Sequence, residues 1–394
     1  MLPQMSRDCD LGLPSAQVSN LEGSTMTAKR SDAAPARCRA RAVWRGVAAL
    51  LVSALVAAAC GGAGDTGRAA GAATDGGAVD RSGPRRILRF AFAPDPVWDY
   101  LKDTGTLAEW ESQHHVRVVD TASWDEFSYF AGGHGDIVST ASYELPLLER
   151  ETGTRTVTFG KYNHVRNVPL VRPESGFATF ADLPDGAKVA ASSSVGATVV
   201  WGMLIEKLHD RTLTAGAGDF ELVVADNALM PELVRTGEVD VCICDPETAA
   251  RELRTGELDV MYGGQTAQDL YRDVSGIDHF GLMSNMFTAT ERWYDANPDL
   301  VVAWLELWQQ GIDLWNRNVE EIVGIYPQHF AVETEEDIEF VIDYLGANDW
   351  FVDDVTLTTH WIDGEVQVYE FMKETGFMDL GEEVPRFEAV GIDG

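Results

Sequence analysis

The chain of 394 residues is short of positive charge: 30 Lys and Arg stand against 63 Asp and Glu, a formal charge of −33. Such a surface repels phosphate backbones, which excludes nucleic acid as a partner and disfavours broad adhesion to anionic lipid. Cysteine is scarce, with five in all. Cys9, Cys38 and Cys60 precede the well-mixed part of the chain, so no disulfide framework supports the fold. The remaining pair, Cys242 and Cys244, lies two apart on one face of an expected strand. A bridge across one residue would be strained, so both are expected to be buried free thiols. No apolar run reaches the roughly 20 residues of a membrane-spanning helix. Catalytic signatures are missing as well. There is no Walker loop and no G-x-S-x-G elbow, and the eight histidines show neither H-x-x-x-H nor H-E-x-x-H spacing. Gly62 to Gly67 satisfies G-x-G-x-x-G, but no strand precedes it. No catalytic residue, metal site or cofactor is expected.

What is there begins with an export signature. Thirteen uncharged residues, 47–59, follow a basic stretch (Lys29, Arg30, Arg37, Arg39, Arg41, Arg45) and end at Cys60. Basic, then apolar, then small is the order of a secretory signal. Leu55-Val56-Ala57-Ala58-Ala59-Cys60 is similar to a bacterial lipobox, with Ala57 where Leu is usual. The expectation is a lipidated Cys60 at the outer face of a membrane; plain cleavage at an A-x-A site and a true membrane anchor are the alternatives. Residues 1–25 match no part of such a signal, which makes Met26 a plausible start. Residues 61–83 hold eight Gly and six Ala among 23, a composition that buries little and suits a flexible tether. With residues 1–59 removed, the charge becomes about −36, because that segment carries seven Lys and Arg against four Asp and Glu.

From residue 87 short apolar runs alternate with helical periods, the pattern of a parallel sheet covered on both faces. Strands are expected at 87–93, 116–120, 137–140, 156–159 and 167–171, with helices at 98–113, 124–130 and 144–152. A second series follows the turn at 180–186. Its strands are expected at 188–191, 220–225, 239–244 and 258–262, and its helices at 196–209, 229–236 and 246–255. Then one apolar run, 281–288, precedes long helices. Leu300, Trp304, Trp308, Ile312 and Trp315 recur at three and four residues, a stripe expected to pack in a core. Further helices are expected at 319–324, 334–344 and 364–375. The implied organisation is an extension and signal (1–59), a tether (60–86), a first lobe (87–181), a second lobe (182–275), and a return to the first lobe (276–394). Two lobes joined by two crossings leave a cleft, and ligands of open parallel sheets bind beyond the strand carboxyl ends.

Several segments, in order, resemble one family. They are Gly135-Asp136-Ile137-Val138-Ser139-Thr140-Ala141-Ser142, Asn167-Val168-Pro169-Leu170-Val171, and Asp182-Leu183-Pro184-Asp185-Gly186-Ala187-Lys188-Val189-Ala190. Glu238-Val239-Asp240-Val241 before Pro246, Asn297-Pro298-Asp299-Leu300-Val301, and Glu374-Thr375-Gly376-Phe377-Met378 follow. Together they are similar to the nitrate, sulfonate and taurine class of ABC-transporter substrate-binding proteins, and to the related pyrimidine-precursor binding proteins. The resemblance implies an α/β, two-lobed periplasmic-binding-protein-like fold (type II). It also implies a monomer that closes on a small ligand and delivers it to an ABC permease driven by an ATPase. An enzyme on the same fold and a sensory module are the alternatives.

The candidate ligand residues follow from chemistry and from that resemblance. Ser193, Ser194 and Thr198 open a helix, where unpaired N–H groups and hydroxyls suit an anionic head group; ordinary capping explains the same serines. Ser139 and Ser142 follow a first-lobe strand, with Tyr143 and Asn163 nearby as an aromatic wall and an amide. Asp95 and Trp98 follow the first strand and Trp124 the second, although either indole is equally suited to packing. Asp245 and Glu247 flank Pro246 at a second-lobe strand end and would suit an amine or hydroxyls, unless they only complement a helix dipole. Asn285 lies on the return strand, where the resemblance implies a ligand contact. Lys161 and Arg166 are the only cations in the expected cleft loops. A strongly basic anion site is therefore not expected, and a neutral, zwitterionic or aromatic ligand stacked on Trp or Tyr is favoured.

Overall fold

A computed structural model describes residues 83–392, apart from 280 and 349. Cys60, the run at 47–59 and the tether up to residue 82 lie outside the described residues, as does the expectation of lipidation. No described helix is long and apolar enough to cross a membrane.

Eleven strands are described: β1 (Arg86–Phe92), β2 (Val116–Ala122), β3 (Ile137–Thr140), β4 (Thr156–His164), β5 (Val168–Val171), β6 (Lys188–Ala191), β7 (Glu221–Val224), β8 (Val241–Cys244), β9 (Asp259–Val260), β10 (Met283–Thr290) and β11 (Arg386–Phe387). They form two sheets, ordered β11-β4-β10-β3-β1-β2 and β7-β6-β8-β5-β9. β1 runs parallel to β2 and β3, whereas β10 returns antiparallel between β3 and β4. In the second sheet β6 is parallel to β7 and β8, and β5 is antiparallel to β8 and β9. Every residue of β3, β5 and β8 is buried. That is why these strands are continuous short runs rather than alternating ones: helices cover both faces.

β5 belongs to the second sheet, so the chain first crosses at residues 165–167, well before the expected boundary at 181. It crosses back just before β10, and the two crossings are bonded to each other, Val165 N–H donating to Leu282 O at 2.9 Å. The stretch 276–394 divides between the two cores. Its helix Thr359–Glu374 buries Val368, Tyr369 and Phe371 in the second core, with Phe371 edge-on to Tyr271 at 5.3 Å.

The helix expected at 98–113 is two helices, Pro96–Asp103 and Thr106–Gln113, parted at Gly105, whose φ of +79° is easy only for glycine. The helix expected at 319–324 is instead the end of a 28-residue helix, Pro298–Ile325, interrupted at Asn318 where the amide bonds back to Leu314 O at 2.8 Å. That helix supplies the tryptophan stripe, which packs as core. Trp308 stacks on Trp98 at 5.7 Å, Trp304 lies 5.5 Å from Trp98, and Trp110 donates its indole N–H to Ala303 O at 2.8 Å. Trp98 is therefore no ligand residue. It is fully buried, and its Nε1 donates to Asp120 at 2.9 Å.

The reading of Cys242 and Cys244 as free thiols is also corrected: they are disulfide-bonded. Both point from β8 into one small core with Met230 and Val234, and their Cα atoms are 5.4 Å apart, inside the range that a bridge tolerates.

Gly160 of β4 marks a tight contact in the first core. A Cβ there would lie 2.4 Å from Leu305 Cδ2 and 2.9 Å from Phe287 Cδ2. Gly160→Ala should lower stability by about 1–3 kcal/mol, because neither neighbour can retreat within a packed core. Urea unfolding checks this; an unchanged midpoint would show the core to be looser than the contact distances imply.

Candidate ligand-binding site

Loops at the carboxyl ends of the strands converge on one cavity. From the first lobe come Asp95 after β1, Trp124 and Glu126 after β2, Tyr143 and Glu144 after β3, and Asn163 at the end of β4. From the second come Ser192 and Ser193 after β6, and Asp245 after β8. Asn285 of β10 and Trp350 complete the walls, with Arg166 and Asn167 from the first crossing.

A chain of polar side chains forms the floor. Tyr162 OH and Ser139 Oγ are 2.6 Å apart, and Asn285 Nδ2 donates to Ser139 Oγ at 2.7 Å. Asn163 Nδ2 donates to Asn285 Oδ1 at 2.9 Å, and Arg166 Nη1 donates to Asn163 Oδ1 at 3.0 Å. Each amide is thereby fixed in orientation across three neighbouring strands, as buried polar groups require.

Arg166 carries the network across the lobes. Its Nε donates to Glu247 Oε1 at 2.7 Å, its Nη2 lies 2.5 Å from the same oxygen, and Asp245 Oδ2 is 3.7 Å away. Its guanidinium lies over the Trp350 ring at 4.1 Å. Asp245 also accepts from Asn227 Nδ2 at 2.6 Å and from Asn167 Nδ2. Burial works against the charge of Arg166, but Asp245 and Glu247 outweigh it and hold the guanidinium above its ordinary range. Burial pushes Glu247 up to about 7, with Arg166 restraining the rise.

The other carboxylates feel the same enclosure. Asp95 accepts at Oδ1 from the N–H groups of Val97 (2.8 Å) and Trp98 (3.1 Å), capping the helix Pro96–Asp103, and burial still raises it to about 6. Burial, then the nearby Glu144, pushes Glu126 well above the usual carboxylate range. Glu144 is raised by burial despite accepting from Thr140 Oγ1 at 2.5 Å and Ala141 N–H at 2.9 Å. Its Oε1 also reaches the backbone of Gly196, where a Cβ would lie 3.2 Å from it. Gly196 is the residue before the second-lobe helix Ala197–His209. The expected anion position at that helix start thus has a carboxyl group of the opposite lobe beside it.

Of the residues expected at a ligand, the structure brings Asp95, Trp124, Tyr143, Asn163, Ser193, Asp245 and Asn285 to this cavity. Others stand elsewhere. Ser139 is fully buried within that polar chain and does not line the cavity; it positions Asn285. Ser142 is fully buried outside the lining, its carbonyl accepting from Tyr369 OH at 2.9 Å. Ser194 and Thr198 face a neighbouring cavity with Leu147, Leu213 and Phe377, and the Thr198 hydroxyl donates to Ser193 O at 2.6 Å. Glu247 sits behind Arg166 rather than in the wall. Glu126, Glu144 and Trp350 were not evident from sequence. The two glutamates fall at expected helix starts, where an acid is ordinarily dipole compensation.

The fold is that of the periplasmic binding proteins. The periplasmic aliphatic sulphonate binding protein SsuA from Escherichia coli superposes with a TM-score of 0.57 at 15% identity, covering 78% of this chain and 94% of that one. The alkanesulfonate-binding protein SsuA from Xanthomonas axonopodis pv. citri, bound to MOPS, gives 0.58 at 15% identity, covering 77% and 98%. The periplasmic nitrate-binding protein NrtA from Synechocystis PCC 6803 gives 0.50 at 14% identity, covering 75% and 83%. No family model matches the chain, and no curated protein does.

Proposed function

We propose that this protein is the extracytoplasmic solute-binding component of an ABC importer. It captures a small organic solute between its lobes and hands it to a permease driven by an ATPase. One observation carries the reading: a single cavity walled by strand-end loops from both sheets, beside two chain crossings that could serve as a hinge. In this reading Cys60 is lipidated, the Gly/Ala-rich stretch is a tether, and the protein works as a monomer at the outer face of the membrane. The lobes are 87–164 with β10 and the long helix Pro298–Ile325, and 168–275 with the helix Thr359–Glu374.

Binding should stabilise without turnover. A solute at a hundred times its Kd adds about 2.7 kcal/mol, a melting shift of several degrees. Thermal melts across a metabolite panel, with mass spectrometry of each solute afterwards, supply the test. A shift with the solute intact supports capture; consumption of the solute would transfer the reading to an enzyme, and no shift across the panel would overturn it.

A further inference from the structure

The ionisable side chains lining the cavity are the acids Asp95, Asp125, Glu126, Glu144 and Asp245 against the one cation Arg166. That cation is already spent: its Nε and Nη2 face Glu247, its Nη1 serves Asn163, and Asp245 stands beside it. The second usual holder of anions, a helix start, has the Glu144 carboxyl group beside it at Gly196. An entering sulfonate or nitrate would find no free cation in the wall, and any of these acids that is ionised would repel it.

Two carboxylate oxygens, by contrast, lack donors. Asp95 is 3% exposed and lines the cavity; its Oδ1 is satisfied by the helix start, while no described residue donates to Oδ2. Glu126 Oε2 is buried, also with no partner among the described residues. A buried acceptor is seldom left unmet, so Glu126 Oε2 in the cavity wall points to a donor brought by the ligand, with the Asp95 carboxyl lining the same cavity. Trp124, 39% exposed in the same wall, offers a ring face that attracts cations.

Resting on the solute-binding reading, we propose that the cavity takes an amine-bearing organic cation, with the carboxylates of Asp95 and Glu126 accepting from its ammonium group and Trp124 flanking it. Asn163, Asn285 and Ser193 are then left for the neutral polar groups of the same solute.

The experiment uses the purified chain and a panel of alkyl and aryl amines, each paired with the sulfonate, carboxylate and alcohol of the same skeleton. Melting shifts and titration calorimetry are read at low and moderate salt. The amines should stabilise where their partners do not, and Asp95→Asn and Glu126→Gln should each weaken the best amine by at least about tenfold. Both variants are near-isosteric, and their own melts and circular dichroism verify folding. A sulfonate or carboxylate that outbinds its amine overturns the cation assignment and leaves solute capture standing. Amine binding that survives both substitutions overturns the assignment of these two residues. No shift from any member overturns the solute-binding reading together with this inference.

Discussion

Arg166→Met should destabilise the fold by about 3–5 kcal/mol, since it removes one partner of a buried ion pair and leaves the other without compensation. The guanidinium is 7% exposed, and Asp245 and Glu247 are 6% and 2% exposed, so water cannot take its place. The loss should depend on pH. Glu247 already sits at about 7 with Arg166 beside it, and without that charge it rises further. The variant therefore suffers most at alkaline pH, where Glu247 must stay ionised, and recovers as falling pH protonates it. Adding Glu247→Gln should restore part of the stability at pH 8. Urea unfolding at pH 8 and pH 5.5 measures both effects; a loss that is the same at both values would rule out the charge explanation.

Asp95→Asn should act in the opposite direction and raise stability. Burial lifts the folded carboxyl to about 6 from its ordinary 3.8, so the ionised form is disfavoured by folding. The penalty is absent below the unfolded value and fully present above the folded one. A gap of that size corresponds to about 3 kcal/mol at pH 8, as an upper figure. Asparagine keeps the capping oxygen toward Val97 and Trp98 and discards the charge. The variant should be more stable by about 1–3 kcal/mol at pH 8 and equal to the parent near pH 4. Guanidinium unfolding at the two pH values checks this, and an equal effect at both would refute it. A carboxylate retained at that cost fits a residue kept for its ligand rather than for the fold.

Much of the architecture was legible in the sequence because both of its signals are local. β3 and β6 fall where their apolar runs place them, and the helix Ala197–His209 begins one residue from its expected start. What escaped depends on distant partners. β5 has the same apolar composition as a first-sheet strand, and only its pairing with β8 and β9 assigns it to the second. β11, two residues long, exists because β4 has a free edge. The site divides similarly. Asp95, Asn163 and Asp245 were found because strand ends face a cleft, whereas Ser194 and Thr198 line the neighbouring cavity although their chain neighbours line this one. Glu144 was hidden by its own plausibility as a helix-start acid. Gly196, which it lies against, is 52 residues further on, and no spacing rule links the two.

The nearness of Glu144 to the opposite lobe at Gly196 bears on the solute-binding role proposed above. Were the lobes to part, a carboxyl group would leave the end of a helix and both would be rehydrated, at about 0.3–2 kcal/mol by the usual worth of such contacts. On that proposal the unliganded protein would lean toward closure, and an arriving solute would find part of the motion already accomplished.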